Sequence, residues 1–283
     1  MKNLVKPSSL KEALTMLNTQ PGVFRPFAGG TDLMVLLKAG KLEHKNFLSI
    51  LHFDELRGIT KTDTHLAIGA LTTFYEIQDN PLIKKFFPVL AKASSHIGAW
   101  AIQNRATIGG NIANASPAAD SSPALLAYDA EIDLVSVLGV RTIPYSTFHL
   151  GYKKLASKPT ELIAAIRLPI PQQGLFQYFS KVGARAAQAI SKVSFAGIGA
   201  LSSNKVSHIR IAMGSVAPTP IRCLNVETAL TNQPFNDATI RAAVTALTKD
   251  ITPIDDIRST AFYRSLTCAN LLNEFLLKLC GTG

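Results

Sequence analysis

The chain begins with a helical pattern of apolar and polar positions. In "SSLKEALTMLNT" (8–19), Leu10, Ala13, Leu14 and Leu17 recur at helical spacing. A serine before this run, Ser8 or Ser9, suits the N-cap, because its side-chain oxygen can accept a hydrogen bond from a free backbone N–H of the first turn. The spacing predicts an amphipathic helix close to the N-terminus.

The next segments alternate between strand and helix patterns. "VFRPFAGG" (23–30) reads as a short strand with a glycine turn, "TDLMVLLKAG" (31–40) as a helix ending at Gly40, and "FLSILHF" (47–53) as another strand. Together they predict a small β-α-β unit. Further on, "HLAIGALTTFYEIQDN" (65–80) predicts a strand that leads into a helix, and "PVLAKASSHIGAWAI" (88–102) a longer helix. "EIDLVSVLG" (131–139) and "ELIAAIRLP" (161–169) predict two more strands.

The pattern changes after "RLPIPQQG" (167–174), a connector rich in proline and glycine. Three strand patterns follow, and helical patterns occupy the chain from Pro220 onwards. We therefore predict a boundary near residue 172. The predicted domains are 1–172, with subdomains of about 1–55 and 56–172, and 173–283.

Composition narrows the class of protein. The chain has 283 residues, and its 47% of hydrophobic residues is typical of globular proteins. The formal net charge is +10, but the basic residues are scattered and no nucleic-acid motif accompanies them. A basic surface that favours anionic ligands or an acidic partner explains this charge equally well, so we predict no nucleic-acid binding. No stretch contains the roughly 18 continuous apolar residues that a membrane span needs. No signal peptide is evident either, so the expected location is the cytoplasm.

Side chains that bind metals show no useful spacing. The three cysteines, Cys223, Cys268 and Cys280, are far apart, and the six histidines form neither HxxxH nor HExxH. The sequence therefore predicts no metal site and no catalytic triad in this chain.

Two glycine stretches are candidates for chemistry. "FAGGTDL" (27–33) lies between a strand and a helix, where glycine lets backbone N–H groups approach phosphate oxygens. "TIGGNIANASPAAD" (107–120) repeats this chemistry with adjacent glycines and several short polar side chains. The residues alone leave two interpretations of the second stretch open, a loop that binds a ligand and a polar loop that packs against the first domain.

Several ordered stretches resemble one family over nearly the whole chain. They are "FAGGTDLMVLLKAG", "ELRGI", "LAIGALTTFYEI", "NRATIGGNIANASPAAD", "ELIAAIRLP", "KVGARAAQAISKV" and "SVAPTPIR". In this order they are similar to the FAD-binding (medium) subunits of molybdenum hydroxylases, which include the flavin subunits of carbon monoxide and xanthine dehydrogenases. The resemblance implies an α+β fold: a vanillyl-alcohol oxidase-type FAD-binding domain of two α+β subdomains, then a three-stranded antiparallel sheet with helices.

The resemblance also implies a set of cofactor-binding residues. In the family, two glycine loops bind the FAD pyrophosphate from two sides. Carried onto this chain, the first loop comprises Ala28, Gly29, Gly30, Thr31 and Asp32, and the second Thr107, Gly109, Gly110, Asn111, Asn114, Ser116 and Asp120. Ile97 and Gly98 match positions near the isoalloxazine, and Ile163 one near the adenine or flavin edge. Lys181 matches a lysine near the flavin, whereas without the resemblance we would interpret it as a solvated lysine at a strand end.

The implied function is electron transfer by an FAD-containing oxidoreductase subunit. No catalytic residue is assigned, and the molybdenum cofactor and [2Fe-2S] clusters are expected in a large and a small partner subunit. The acceptor, NAD, quinone or oxygen, stays open, because the loop "ARAAQAIS" (184–191) lacks the acidic residues that some relatives carry there. Two alternatives also stay open, namely a self-sufficient flavin oxidase of the same fold and a non-catalytic module that has lost FAD.

Overall fold

The N-terminal sheet is small and parallel. The computed structural model describes residues 2–281, so Met1, Thr282 and Gly283 of the predicted domains lie outside the described residues. The sheet comprises β1 (Asn3–Val5), β2 (Phe24–Phe27) and β3 (Asn46–Ser49) in the order β1-β3-β2. The helices are α1 (Leu10–Thr19) and α2 (Leu33–Lys38). The predicted first helix and the β-α-β unit are therefore confirmed, and Ser9 is the N-cap of α1.

A five-stranded antiparallel sheet follows. Its order is β4-β5-β10-β6-β7, and its strands are β4 (Ile59–Lys61), β5 (His65–Gly69), β6 (Glu131–Ser136), β7 (Gly139–Pro144) and β10 (Leu162–Pro169). A separate hairpin between β7 and β10 pairs β8 (His149–Gly151) with β9 (Lys154–Leu155). The alternating burial of β5 and β6 shows one face on the core, as their sequence patterns predict.

Helices connect β5 to β6. They are α3 (Phe74–Asp79), α4 (Pro81–Phe86), α5 (Pro88–Ser95), α6 (Trp100–Gln103), α7 (Ile108–Asn114) and α8 (Ser121–Ala127). Two predictions were wrong here. The longer helix over 88–102 is interrupted between α5 and α6, where Gly98 has φ +55°. The second glycine stretch is not a loop, because Gly109 and Gly110 lie within α7.

The C-terminal part contains a third sheet and three helices. The sheet has three long antiparallel strands, β11 (Phe176–Val182), β12 (Val193–Ser202) and β13 (Lys205–Gly214). A two-residue strand, β14 (Ile221–Arg222), pairs with β13 at the edge. The helices are α9 (Leu224–Leu230), α10 (Asp237–Asp250) and α11 (Ala261–Cys280). The resemblance implied three strands, and the additional β14 is only a short pairing at the edge beside β13.

The hydrophobic core is divided into three clusters. One lies under the parallel sheet around Leu17 and Leu48, and another under the third sheet around Phe195 and Phe275. The central cluster combines the second sheet with Ala196 of β12. Helix α8 is buried along its whole length and packs against β12 and β13, so the two halves of the chain share core contacts. The boundary near residue 172 stays a prediction.

Candidate functional site

The first glycine segment packs closely against the residues that precede α7. It follows β2 and runs from Ala28 to Asp32. Gly30 has φ +74°, a left-handed conformation that favours glycine. A Cβ on Gly29 would lie 2.0 Å from the carbonyl oxygen of Arg105, so a larger residue would displace the backbone. The Arg105 Nε also donates to the Gly29 carbonyl at 3.2 Å.

The two glycines of α7 have different surroundings. Gly109 is buried, its N–H donates to the Ala70 carbonyl at 2.8 Å, and an added Cβ would lie 2.6 Å from the Ala70 side chain. Gly110 is exposed, and outside the backbone of α7 an added Cβ would meet one atom within 4 Å, the Thr107 Oγ1 at 2.9 Å. That hydroxyl caps α7 by accepting from the Gly110 N–H at 3.2 Å. Gly109 is therefore required for packing, whereas Gly110 keeps a backbone surface open.

These segments line a cavity of about 590 Å³. This volume is within the range of small-molecule and cofactor sites. Twelve of the sixteen predicted site residues line it: Ala28, Gly29, Gly30, Thr31, Asp32, Ile97, Thr107, Gly109, Gly110, Asn111, Asn114 and Ile163. Four do not: Gly98, Ser116, Asp120 and Lys181.

Of the four remaining residues, Gly98 and Asp120 contact the C-terminal half of the chain, to which Lys181 belongs. Lys181 of β11 donates from Nζ to the Asp120 Oδ2 at 2.6 Å and to the His96 carbonyl at 2.8 Å. His96 precedes Ile97, which lines the cavity. The backbone oxygen of Gly98 accepts from the Gln188 N–H at 3.1 Å. Ser116 makes a local bond instead, accepting from the Ala118 N–H at 3.2 Å.

Lys181 is not a solvated strand-end lysine. Its side chain is 6% exposed and that of Asp120 is 8% exposed. Burial raises the pKa of Asp120, and the Lys181 ammonium opposes this shift. The Ser191 hydroxyl donates to the other carboxylate oxygen of Asp120 at 2.5 Å. The interpretation of Lys181 from its residue type alone was therefore wrong, and its proximity to a flavin stays a prediction.

Polar residues that the sequence analysis missed complete the cavity. They are Arg25 on β2, His44 before β3, and Ser157, Lys158 and Glu161 between β9 and β10. Of these residues, Arg25 alone lies close in sequence to a glycine segment. The others reach the cavity because β3 pairs with β2 and because the segment before β10 passes its opening. Their sequence signal is limited to the polar stretch "SKPTE" before an apolar strand.

An ion pair compensates the charge of Glu161. Arg141 donates from Nε to the Glu161 Oε1 at 2.6 Å and from a terminal nitrogen to Oε2 at 2.8 Å. The backbone N–H of Lys158 also donates to Oε2, at 2.7 Å. The hydrogen bonds from Arg141 are the main cause that lowers the pKa of Glu161. Two carboxylates line the cavity, and Arg141 compensates the charge of one of them, Glu161. The cations Arg25 and Lys158 are thus opposed within the lining by Asp32.

Across residues 2–281, no group of three or more His, Cys, Asp or Glu side chains has an arrangement that could hold a metal ion. None of the helices within the same range combines the length and apolar character needed to cross a membrane.

Comparison with known proteins gives matches to both halves of the chain. Residues 1–171 match the family model described as "FAD binding domain in molybdopterin dehydrogenase", and residues 178–279 match "CO dehydrogenase flavoprotein C-terminal domain". The putative xanthine dehydrogenase FAD-binding subunit of Escherichia coli (strain K12) is 33% identical over 92% of this chain and 89% of its own length. The glyceraldehyde dehydrogenase medium chain of Sulfolobus acidocaldarius is 32% identical over 92% of each chain.

A solved structure has the same fold over almost the whole chain. It is a carbon monoxide dehydrogenase from Hydrogenophaga pseudoflava which lacks the Mo-pyranopterin moiety of the molybdenum cofactor. The TM-score is 0.94 at 28% identity, and the match covers 99% of this chain and 98% of the other.

Proposed function

Because this chain belongs to the family of FAD-binding subunits of molybdopterin dehydrogenases, we propose that it binds FAD in the cavity between its two glycine segments and transfers electrons within an oxidoreductase complex. The observation that carries this proposal is the open surface of Gly110 in a cavity lined by both segments. A side chain at this position would occupy space that a ligand needs. The cavity therefore fits an extended ligand that brings a diphosphate close to bare backbone.

The charges of the cavity support the same ligand. FAD carries a dianionic diphosphate, and the cavity presents Arg25 and Lys158 while Arg141 compensates Glu161. Thr107, Asn111 and Asn114 add short polar side chains to the lining, and apolar contacts come from Ile97 and Ile163. A lining of this kind, apolar with a few polar groups, is usual for cofactor sites.

The residues of the chain bind and position the cofactor, and bound FAD supplies the redox chemistry. We propose that the diphosphate is held by Ala28–Asp32 on one side and by residues 107–114 on the other. The contact of Gly29 with Arg105 fixes the first segment beside the second. Gly98, Ser116, Asp120 and Lys181 would act from behind the cavity wall, where the Lys181–Asp120 pair holds the backbone next to Ile97.

We further propose that the partners are a small iron–sulfur subunit, which delivers electrons, and a large subunit that binds the molybdenum cofactor and oxidises the substrate. The relatives are named as FAD-binding subunits or medium chains, which supports a divided complex. The acceptor, whether NAD, quinone or oxygen, and a cytoplasmic location stay predictions from the sequence.

Purification with and without the partner subunits tests this function. The chain expressed alone should bind about one FAD per polypeptide, measured by flavin absorbance after removal of free FAD, and should show no substrate-dependent flavin reduction. The co-expressed complex should reduce its flavin when the partners' substrate is added. Reduction by the isolated chain would support a self-sufficient oxidase instead, and an isolated chain that binds no added FAD would support a module that has lost the cofactor.

A further inference from the structure

The turn of the β8–β9 hairpin contains a lysine in an unusual conformation. Lys153 has φ +56°, in the left-handed region that side chains with a Cβ rarely adopt. Glycine or asparagine is the usual choice at such a position, because a Cβ crowds the backbone there. Lys153 must therefore either be tolerated at a cost or be required for its side chain.

The side chain of Lys153 reaches a residue of the cavity. Its Nζ donates to the backbone carbonyl of Asn114 and, at 2.9 Å, to the Oδ1 of the same residue. Asn114 is the last residue of α7, where backbone carbonyls lack partners within the helix. One bond therefore satisfies the end of α7, and the other holds a side chain that lines the cavity.

The second bond determines which way the carboxamide of Asn114 faces. An ammonium group has three donors and no acceptor, so only the Oδ1 of an asparagine can face it. The Nδ2 group then points away from Lys153. In the described part of the chain this Nδ2 has no acceptor, although Asn114 is partly buried at the cavity wall. Two N–H donors are thus left for a ligand.

Two cations, Lys153 and Arg25, and one carboxylate, Asp32, lie at this place, so its net charge is positive. Partial burial lowers the pKa of Lys153, the Asp32 carboxylate opposes this shift, and the smaller effect of the Arg25 charge lowers the pKa as well. Arg25 and Asp32 both line the cavity. Two cations that repel each other are stabilised when an anionic group binds between or beside them.

We propose that Lys153 is a positioning residue for the diphosphate of the dinucleotide: by fixing the Oδ1 of Asn114, it turns the Asn114 amide donors towards a phosphate oxygen. This inference rests on the proposed binding of FAD and assigns a role to a hairpin outside the two glycine segments. Lys153 acts through Asn114 and through its charge, and it takes no part in electron transfer.

The test uses the full chain freed of flavin and compares four variants at position 153 and its neighbour. Lys153→Met removes the ammonium, Lys153→Arg keeps a charge, and Lys153→Gly removes the ammonium while relieving the left-handed backbone. Lys154→Met, at an exposed residue without a side-chain partner among residues 2–281, is the matched control. The dissociation constant for FAD is measured by quenching of flavin fluorescence, and the melting temperature is measured without FAD.

We expect Lys153→Met and Lys153→Gly to raise the dissociation constant about tenfold or more, as for a lost hydrogen bond to a charged group. Lys153→Gly should at the same time keep or raise the melting temperature, which a purely structural role in the turn would not produce. Lys153→Arg should recover part of the affinity, and Lys154→Met should match the wild type. Asn114→Ala should weaken binding, and adding Lys153→Met to it should cause little further loss.

Three results would overturn the inference. If wild-type protein binds FAD and both Lys153→Met and Lys153→Gly bind it equally well, Lys153 has no part in the site while the proposed function stands. If the losses in Lys153→Met and Asn114→Ala multiply in the double variant, Lys153 does not act through Asn114. A wild-type chain that does not bind FAD would overturn the proposed function and this inference together.

Discussion

The ammonium of Lys181 lies 2.6 Å from the carboxylate of Asp120, and both side chains are almost completely buried. The pair joins strand β11 to the residue that precedes α8, so it links the two halves of the chain. The Lys181 ammonium also donates to the backbone of His96, beside the cavity wall. The link between the two halves and the backbone beside the cavity wall therefore depend on the same two residues.

Removal of Lys181 should destabilise the fold in a pH-dependent way. Lys181→Met leaves a buried carboxylate without its counter-charge, a change that typically costs about 3–5 kcal/mol. Burial already raises the pKa of Asp120, and loss of the ammonium should raise it further, so protonation at lower pH should recover part of the stability. Urea unfolding at pH 5 and pH 7.5 measures this, with the exposed Lys205→Met as control. Equal losses at both pH values would contradict it.

Lys181 should also influence the redox potential of bound FAD. Reduction adds negative charge, which a nearby cation stabilises, so Lys181→Ala should lower the midpoint potential. Because Asp120 compensates part of the lysine charge, the double variant with Asp120→Asn should return most of the way towards the wild-type potential. Spectroelectrochemical titration of the flavin-loaded chains provides the values. An unchanged potential in Lys181→Ala would limit the pair to a structural role.

Gly110→Val should remove FAD while leaving the fold in place. The new side chain would enter the open space of the cavity, and we expect the dissociation constant for FAD to rise at least about tenfold, or about 1.4 kcal/mol. The added Cβ would lie 2.9 Å from the Thr107 Oγ1, so this capping hydroxyl must shift, but most of α7 should remain because valine is a better helix former than glycine. Flavin content and circular dichroism give the two readouts, and Ala242→Val on the exposed face of α10 controls for a valine in a helix. Normal flavin content in Gly110→Val would refute the placement of the diphosphate.

Glu161→Gln should reduce stability at neutral pH but not in acid. The pKa of Glu161 is lowered from 4.5 in the folded protein, so its contribution is fully present above that value and is lost as pH falls through the lower folded pKa. At pH 7 the variant should be less stable by about 1.5–3 kcal/mol, as for a hydrogen bond to a charged group. The difference should shrink below about pH 4.5. Unfolding curves from pH 3 to 7 test this, with the exposed Glu43→Gln as control.

Only one of the three cysteines should react in the folded protein. Burial raises the pKa of Cys268 to about 12 and that of Cys223 well above its usual value, whereas Cys280 is exposed. Since the thiolate is the reactive form, a disulfide reagent should modify one thiol per chain in buffer and three in denaturant. Cys280→Ser should abolish the native reaction, and any remaining fast reaction would show that a buried thiol becomes accessible.

The sequence predicted those elements whose apolar spacing is set by a single core face. Helix α1 and strand β5 are examples, since burial on one side of each follows the period of its own sequence. The helix expected over 88–102 failed because Gly98 adopts a left-handed conformation that the apolar pattern does not encode. Gly109 and Gly110 were read as loop residues, but α7 tolerates them because the Gly109 N–H bonds to Ala70 and Thr107 caps the helix.

The glycine segments of the candidate site were evident from the sequence, and its distant contributors were not. Arg25 and Lys158 reach one cavity only through the pairing of strands and the path of the chain before β10. Lys153 gave no local signal, because its importance depends on contact with Asn114, 39 residues earlier. Long-range contacts of this kind follow from tertiary structure, which periodicity and composition do not specify.

The close contact between Gly29 and the Arg105 carbonyl has a consequence for how the cofactor is loaded. Because protein atoms alone make this contact, the position of the first segment does not depend on the cofactor, and little conformational entropy should be lost when FAD binds. The site should therefore keep its shape whether or not FAD is bound. Its rate of flavin uptake should rise in proportion to FAD concentration, without the plateau that a slow rearrangement of the protein would impose.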